Sequence, residues 1–126
     1  MPITIFIVDD EEIVRKLVRV ALKGLVDAIF LEANNAAEAL KVAREHGGPI
    51  DLLVSDVAMP GRMNGAEMAA LLSQTRPDTK VVLMSGYPPD TVTIKADWLF
   101  VEKPFAAAKI REKIGSLLAE HCVAAS

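Results

Sequence analysis

Short apolar runs alternate with helix-like stretches along this chain, and this alternation is the feature that most limits its fold. The first run, Ile3 to Val8, is continuous and rich in β-branched residues, as expected of a strand buried on both faces. Comparable runs follow at 28–31, 52–54, 80–84 and 98–101. Strands that alternate with helices require a parallel sheet with right-handed crossovers and helices on both faces. We therefore predict an α/β protein built on a five-stranded parallel sheet.

The stretches between these runs show the 3.6-residue period of helices that pack by one face. The first stretch, at 11–23, carries an apolar stripe made of Ile13, Leu17, Val20 and Ala21. A second helix is predicted after Asn35, which resembles a capping box together with Glu38. Two more helices are predicted at 66–74 and 107–121.

The segment between the fourth and fifth strands departs from this pattern. It is short and contains Pro88, Pro89 and a β-branched run at 91–94. Proline and β-branched residues both disfavour a helix. We therefore predict a doubly wound sheet of order 2-1-3-4-5, which is the flavodoxin-like arrangement, with a shortened or distorted fourth helix.

Length and composition exclude several classes of protein. A chain of 126 residues is sufficient for one domain, so we expect residues 1–126 to form a single domain with no output domain in this chain. The net charge of −3 and the lack of a Lys/Arg run give no reason to expect direct nucleic-acid binding. We find no signal peptide and no apolar stretch near the roughly 20 residues of a membrane span, so we expect no membrane insertion. Cys122 is the single cysteine and cannot form an internal disulfide, and we expect a cytoplasmic location.

Acidic and polar residues follow the predicted strands at their carboxyl ends. They are Asp9, Asp10 and Glu11 after the first strand, Asp56 after the third, Ser85 after the fourth and Lys103 after the fifth. Taken singly, an aspartate in such a place is more often a helix cap, and a lysine is usually a solvated charge. In a parallel sheet, however, these ends meet at one edge, where ligands bind beside the switch in strand order. Converging carboxylates would repel one another, and a lysine together with Mg²⁺, or Mn²⁺, is the natural compensation.

These motifs resemble the receiver domain of bacterial two-component response regulators, in a chemotaxis-regulator-like form. The resemblance rests on Asp9-Asp10, Asp56-Val57-Ala58-Met59-Pro60, Ser85-Gly86 and Lys103-Pro104-Phe105. It implies that Asp56 is the phosphoacceptor. It also implies a magnesium site formed by Asp9, Asp10, Asp56 and the backbone carbonyl of Ala58.

The same resemblance assigns further roles near the acceptor. Ser85 and Lys103 would bind the phosphoryl group, and Phe100 occupies the position of the family's switch aromatic. Tyr87 and Ala58 would tune the lifetime of the phosphoryl group. The loop from Pro60 to Gly65 holds one residue more than is usual in the family, and we expect it to lengthen without displacing the acceptor.

The function that the resemblance implies is a phosphorylatable signalling switch. The donor would be a sensor histidine kinase or a histidine phosphotransfer protein, and the output would be contact with a downstream protein target. The chain would not be an enzyme beyond self-phosphorylation from phosphodonors and slow autodephosphorylation.

Three alternatives stay open from the sequence. A degenerate receiver would act as a docking module without phosphorylation. An aspartyl-phosphate phosphatase is disfavoured, because its Asp-x-Asp pattern differs from the adjacent Asp9 and Asp10. A flavodoxin-like cofactor binder would need a phosphate loop where this chain carries acidic residues.

Overall fold

Five strands and four helices alternate along the described part of the chain. The computed structural model describes residues 2–25, 27–86, 98–103 and 107–125, with the side chains of the last segment described at 108–118. The elements are β1 (Ile3–Val8), α1 (Glu12–Leu22), β2 (Ala28–Ala33), α2 (Ala36–Glu45), β3 (Leu52–Asp56), α3 (Gly65–Thr75), β4 (Lys80–Ser85), β5 (Leu99–Glu102) and α4 (Ala107–Ala125). None of the helices in this part of the chain is both long and apolar enough to cross a membrane.

The strands form one parallel sheet in the order β2-β1-β3-β4-β5. This order confirms the predicted doubly wound fold. The chain moves outward from β1 to β2 and then returns past β1 to β3, which opens a crevice at the carboxyl ends of β1 and β3. The shortened fourth helix was predicted within 87–97, which lies outside the described residues.

Helices cover both faces of the sheet, each over its own apolar cluster. Phe6 and Leu53 point towards α2 and α3, while their neighbours Ile7 and Val54 point towards α1 and α4. Successive residues of a strand point to opposite faces of a sheet. Because both faces are covered, β1 and β3 need apolar residues at nearly every position, and their continuous apolar runs are explained.

The buried face of α1 differs from the one that its periodicity indicates, and that prediction is wrong for three of four residues. The buried residues of this helix are Val18, Ala21 and Leu22. The other three residues of the predicted stripe are exposed, Ile13 by 74%, Leu17 by 37% and Val20 by 58%. We call these three residues the α1 row. The helix carries two apolar stripes, and only one of them can face the sheet.

Asparagine side chains fix the start of α2 and of α3. Asn35 accepts a hydrogen bond from the backbone N–H of Glu38 at 2.8 Å, so the predicted cap is present. At α3, Asn64 accepts from the N–H of Glu67 at 2.8 Å, and the Glu67 carboxylate accepts from the N–H of Asn64 at 3.0 Å. This reciprocal pair satisfies two otherwise unpaired donors at the helix start. Both caps lie in loops that leave the carboxyl edge of the sheet.

Candidate functional site at the carboxyl edge of the sheet

Three strands deliver charged side chains to the carboxyl edge. Asp9 follows directly after β1, Asp56 is the last residue of β3, and Lys103 follows directly after β5. Asp56 is still in register with Met84 of β4, so the longer loop that follows it leaves it in the strand ladder. The sequence prediction that these residues meet at one edge is therefore confirmed, while their chemical roles stay predictions.

Asp9 is completely buried, and each of its polar groups has a partner. Its carboxylate accepts from the N–H of Glu11 at 2.9 Å and from the Lys103 ammonium at 3.0 Å. Its backbone N–H donates to the carbonyl of Ala33 at 3.1 Å, and its carbonyl accepts from the Arg15 guanidinium at 2.6 Å. A buried polar group is costly unless it is paired, and these bonds hold Asp9 in one position.

Asp56 is nearly buried, with 5% of its surface exposed, and it lies 3.4 Å from the Lys103 ammonium. The pKa of its carboxyl is raised to about 6, mainly by burial. Lys103 opposes this rise, and the nearby charges of Asp9 and Asp10 contribute to it. Burial alone would lower the pKa of Lys103, but its bond to Asp9 and the charge of Asp56 outweigh this effect, so the Lys103 pKa is raised. The lysine is therefore held as a cation between two carboxylates.

The three carboxylates can act together as ligands. One oxygen each from Asp9, Asp10 and Asp56 lies within 4.8 Å of the others, and Asp10 is exposed to solvent. Hard oxygen ligands with open positions for water fit Mg²⁺ or Mn²⁺. The residues present thus fit the divalent cation that the sequence suggests. Ala58 lies in the exposed loop after β3, and the use of its carbonyl as a ligand stays a prediction.

The start of α3 packs directly on the end of β3 at Gly65. The N–H of Gly65 donates to the carbonyl of Val57 at 2.8 Å. A Cβ atom at this position would lie 1.8 Å from the Asp56 carbonyl oxygen and 2.9 Å from Oγ of Ser55. The hydroxyl of Ser55 also donates to that same Asp56 oxygen at 3.0 Å. The Asp56 backbone is therefore clamped between the start of α3 and the Ser55 hydroxyl, and only glycine fits against it.

The remaining predicted site residues lie around this cluster. Ser85 ends β4 and is 2% exposed, and its carbonyl accepts from the N–H of Lys103 at 2.7 Å. Phe100 of β5 is half-buried against the apolar cluster under α2 and α3. Tyr87 lies outside the described residues.

Two charged residues near the site escaped the sequence reasoning. Arg15 of α1 binds the Asp9 carbonyl and also the carboxylate of Glu32, at 3.0 Å. Glu32 is the one charged residue of β2 and lies at its carboxyl end. The charge of Glu32 at the end of an apolar run could have indicated this contact. It was missed because the predicted strand ended at Leu31.

The geometry agrees with comparisons to known proteins. Residues 5–115 match the response regulator receiver domain family. This chain belongs to that family. It is 34% identical over 119 residues to the sensor kinase CckA of Brucella abortus, across 91% of this chain and 12% of the kinase. It is also 34% identical over 124 residues to the two-component response regulator ORR41 of Oryza sativa subsp. japonica, across 94% of this chain and 93% of that protein.

A solved structure supports the same assignment. The receiver domain of the hybrid histidine kinase CckA matches with a TM-score of 0.69 and 31% identity, covering 90% of this chain and 96% of that domain. The family predicted from the sequence is therefore confirmed. Since this chain spans 12% of the length of the Brucella kinase, the similarity concerns one segment of that larger protein.

Proposed function

We propose that this chain is a phosphorylatable signalling switch that accepts a phosphoryl group on Asp56 in the presence of Mg²⁺. One observation carries the proposal: the oxygens of Asp9, Asp10 and Asp56 converge within 4.8 Å, with the Lys103 ammonium against two of the three carboxylates. This concentration of negative charge is costly for a fold, and it suits the binding of a cation and of a phosphoryl group.

The chemistry follows from the position of Asp56. One carboxylate oxygen attacks the phosphorus of the donor, the bond from phosphorus to the leaving group breaks, and an aspartyl phosphate forms. The leaving group is the imidazole of a phosphohistidine or the carboxylate of a small acyl phosphate. Such transfers depend mainly on in-line positioning and on neutralising charge. Bound Mg²⁺ would supply part of that neutralisation, held by Asp9 and Asp10.

Lys103 supplies the rest from the protein. Its ammonium contacts Asp56 at 3.4 Å and Asp9 at 3.0 Å, so it can turn to a phosphoryl oxygen without leaving Asp9. Ser85 would donate a hydrogen bond to another phosphoryl oxygen and so move towards the acceptor. Phe100, in the neighbouring strand, would then turn inwards, and the surface around β4 and β5 would change.

The position of the α1 row supports a protein as the phosphodonor. Ile13 begins the row three residues after Asp10, on the edge where the donor must approach Asp56. A large apolar side chain that is 74% exposed so close to a reaction site favours a contact surface. The donor would be a sensor histidine kinase or a histidine phosphotransfer protein, and the receiver would pass the signal to a downstream protein.

Mass spectrometry of the intact protein tests the proposal. We expect incubation with MgCl₂ and acetyl phosphate to add one phosphoryl group, and Asp56→Asn to abolish this gain. Asp51→Asn is the matched control, because Asp51 lies at the opposite edge of the sheet and its carboxylate binds the N–H of Thr4. This control should keep the phosphoryl gain.

Two results would favour the alternative functions. A protein that binds Mg²⁺ but gains no phosphoryl group would be a docking module. A protein that hydrolyses many phosphomonoesters per molecule would be an aspartyl-phosphate phosphatase. A variant of the α1 row, Ile13→Glu, should slow transfer from purified phosphorylated histidine phosphotransfer domains while leaving the reaction with acetyl phosphate unchanged.

A further inference from the structure

Arg15 connects the acidic site to β2 through two separate contacts. Its Nη1 donates to the Asp9 carbonyl at 2.6 Å, and its Nε donates to the Glu32 carboxylate at 3.0 Å. The side chain is largely buried, with 16% exposed, and Glu32 is 29% exposed. Arg19, one turn later on α1, also binds the Glu32 carboxylate, and its contacts among the described residues do not include Asp9. The guanidinium thus bridges a strand end and a loop peptide that carries two of the three carboxylates.

The Asp9 carbonyl needs this donor for a topological reason. β2 accompanies β1 up to Val8, and Asp9 still donates its N–H to Ala33 of β2. Beyond that point the chain leaves the sheet, makes a short link through Asp10, and begins α1 at Glu12. The carbonyl of a completely buried residue is costly when unpaired, so the peptide would rotate if the guanidinium were removed.

We propose that Arg15 is a positioning residue for the divalent cation. By holding the Asp9 peptide it keeps the carboxylates of Asp9 and Asp10 turned towards Asp56, and Glu32 in turn holds the guanidinium. This inference rests on the proposed function, since it concerns the cation that the switch requires. Partners that orient the ligands of a metal are often nearly as important for affinity as the ligands themselves.

A positioning role and a purely electrostatic role of Arg15 predict opposite changes in Mg²⁺ affinity, so the proposal can be tested. Arg15 is a cation close to the acidic cluster, so its charge alone repels a second cation. If charge were its only effect, Arg15→Gln would bind Mg²⁺ more tightly and Arg15→Lys would equal the wild type. If it positions Asp9, both variants bind Mg²⁺ more weakly, because a lysine ammonium lacks the planar fork that reaches two acceptors at once.

The experiment is isothermal titration calorimetry with MgCl₂ on the whole chain. We expect Arg15→Gln and Arg15→Lys to weaken Mg²⁺ binding about 10-fold. Arg19→Gln is the matched control, since it removes an equal charge from the same carboxylate without touching Asp9, and it should stay within about 2-fold. Acetyl phosphate labelling of the Arg15 variants should be slow at low Mg²⁺ and approach the wild-type rate at saturating Mg²⁺.

Several other results would overturn the role proposed for Arg15 or direct the test to a second variant. Tighter or unchanged Mg²⁺ binding in Arg15→Gln overturns the inference and leaves the proposed switch intact. A wild-type chain that binds no Mg²⁺ overturns both. If melting curves in EDTA show that Arg15→Gln does not fold, Arg15→Lys decides the question, because it keeps the charge and the aliphatic stem. Labelling that stays slow at saturating Mg²⁺ would place the defect in the acceptor and so overturn the inference.

Discussion

The amino and carboxyl edges of the sheet differ in how their polar and charged side chains are paired. At the amino edge, the carboxylate of Asp51 accepts from the N–H of Thr4 at 2.8 Å, and the hydroxyl of Thr79 donates to the carbonyl of Ile50 at 2.6 Å. At the carboxyl edge, three carboxylates converge, and the Lys103 ammonium contacts two of them. One edge pairs its polar groups locally, and the other holds an excess of negative charge that a ligand can relieve.

The helix ends reinforce this difference. α2 ends at the amino edge, where the Arg76 guanidinium donates to the carbonyls of Ala43, His46 and Gly48 at 2.8–2.9 Å. Arg111 of α4 similarly donates to the carbonyl of Ala21 near the end of α1 at 3.1 Å. A cation at a helix C-terminus is favourable because it meets the negative end of the helix dipole. Arginine side chains therefore stabilise helix ends at the amino edge, whereas the carboxylates at the carboxyl edge are placed so that they could bind a cation.

The largest effect is expected from Gly65→Ala at the carboxyl edge. Its Cβ would collide with the Asp56 carbonyl oxygen at 1.8 Å, so α3 or the Asp56 backbone must move. We expect the free energy of unfolding to fall by about 3 kcal/mol and acetyl phosphate labelling to slow, as measured by urea denaturation and intact mass. Gly47→Ala is the control at the amino edge, where a Cβ meets nothing within 4 Å. Equal stability of the two variants would contradict the clamp on Asp56.

The next largest effect is a gain in stability from Asp56→Asn. The pKa of this carboxyl is raised to about 6, so the folded protein binds the Asp56 proton more tightly than the unfolded chain does. The contribution of this protonated carboxyl to wild-type stability is therefore fully present below the ordinary aspartate pKa and is lost as the pH rises through about 6. We expect Asn to raise the free energy of unfolding by about 2 kcal/mol at pH 8, after allowing for the lost contact with Lys103.

The pH dependence and a control variant check this prediction. The advantage of Asp56→Asn should shrink as the pH falls towards about 4, in urea denaturation with EDTA present. Asp51→Asn should instead lower the free energy of unfolding, because it replaces the charge-assisted hydrogen bond to the N–H of Thr4 with a weaker neutral one. An Asp56→Asn variant that is less stable than the wild type at pH 8 would contradict the claim that excess negative charge destabilises the fold at the carboxyl edge.

The smallest effect is expected at the amino edge from Thr79→Val. The substitution keeps the shape of the side chain and removes the buried bond to the Ile50 carbonyl. We expect a loss of about 1 kcal/mol, with unchanged phosphorylation and little dependence on pH. Thr75→Val is the matched control, because its hydroxyl bonds to the Leu72 carbonyl on the exposed end of α3. Slower acetyl phosphate labelling in Thr79→Val would show that the edges are coupled.

Much of the fold could be predicted because its cause is local. The continuous apolar runs of β1 and β3 reflect burial on both faces, and the parallel sheet follows from the alternation of strands and helices. The order 2-1-3-4-5 is one of the common orders of doubly wound sheets. The convergence of Asp9, Asp56 and Lys103 followed as well, since the carboxyl ends of parallel strands share one edge. These features require only the order of elements along the chain.

The rotation of α1 could not be predicted in the same way. Its two apolar stripes are similar in sequence, and the choice between them depends on contacts with residues far along the chain. Arg15 and Arg19 both reach Glu32 of β2, which turns the α1 row outwards. The role suggested for Arg15 was missed for the same reason. A helical period reports that a helix has a face, but the partner strand decides which face is buried.

The contact between Lys103 and Asp9 joins residues that are 94 positions apart. Lys103 can reach Asp9 only once β5 has paired with β4 at the edge of the sheet, so we expect this contact to form late in folding. Until then, the acidic cluster lacks the Lys103 ammonium, and its carboxylates repel one another. The cluster is therefore an internal reporter of completed folding: an intermediate without β5 already displays its carboxylates but has no lysine with which to hold a phosphoryl group. We therefore expect the proposed phosphorylation to be confined to molecules that have finished folding.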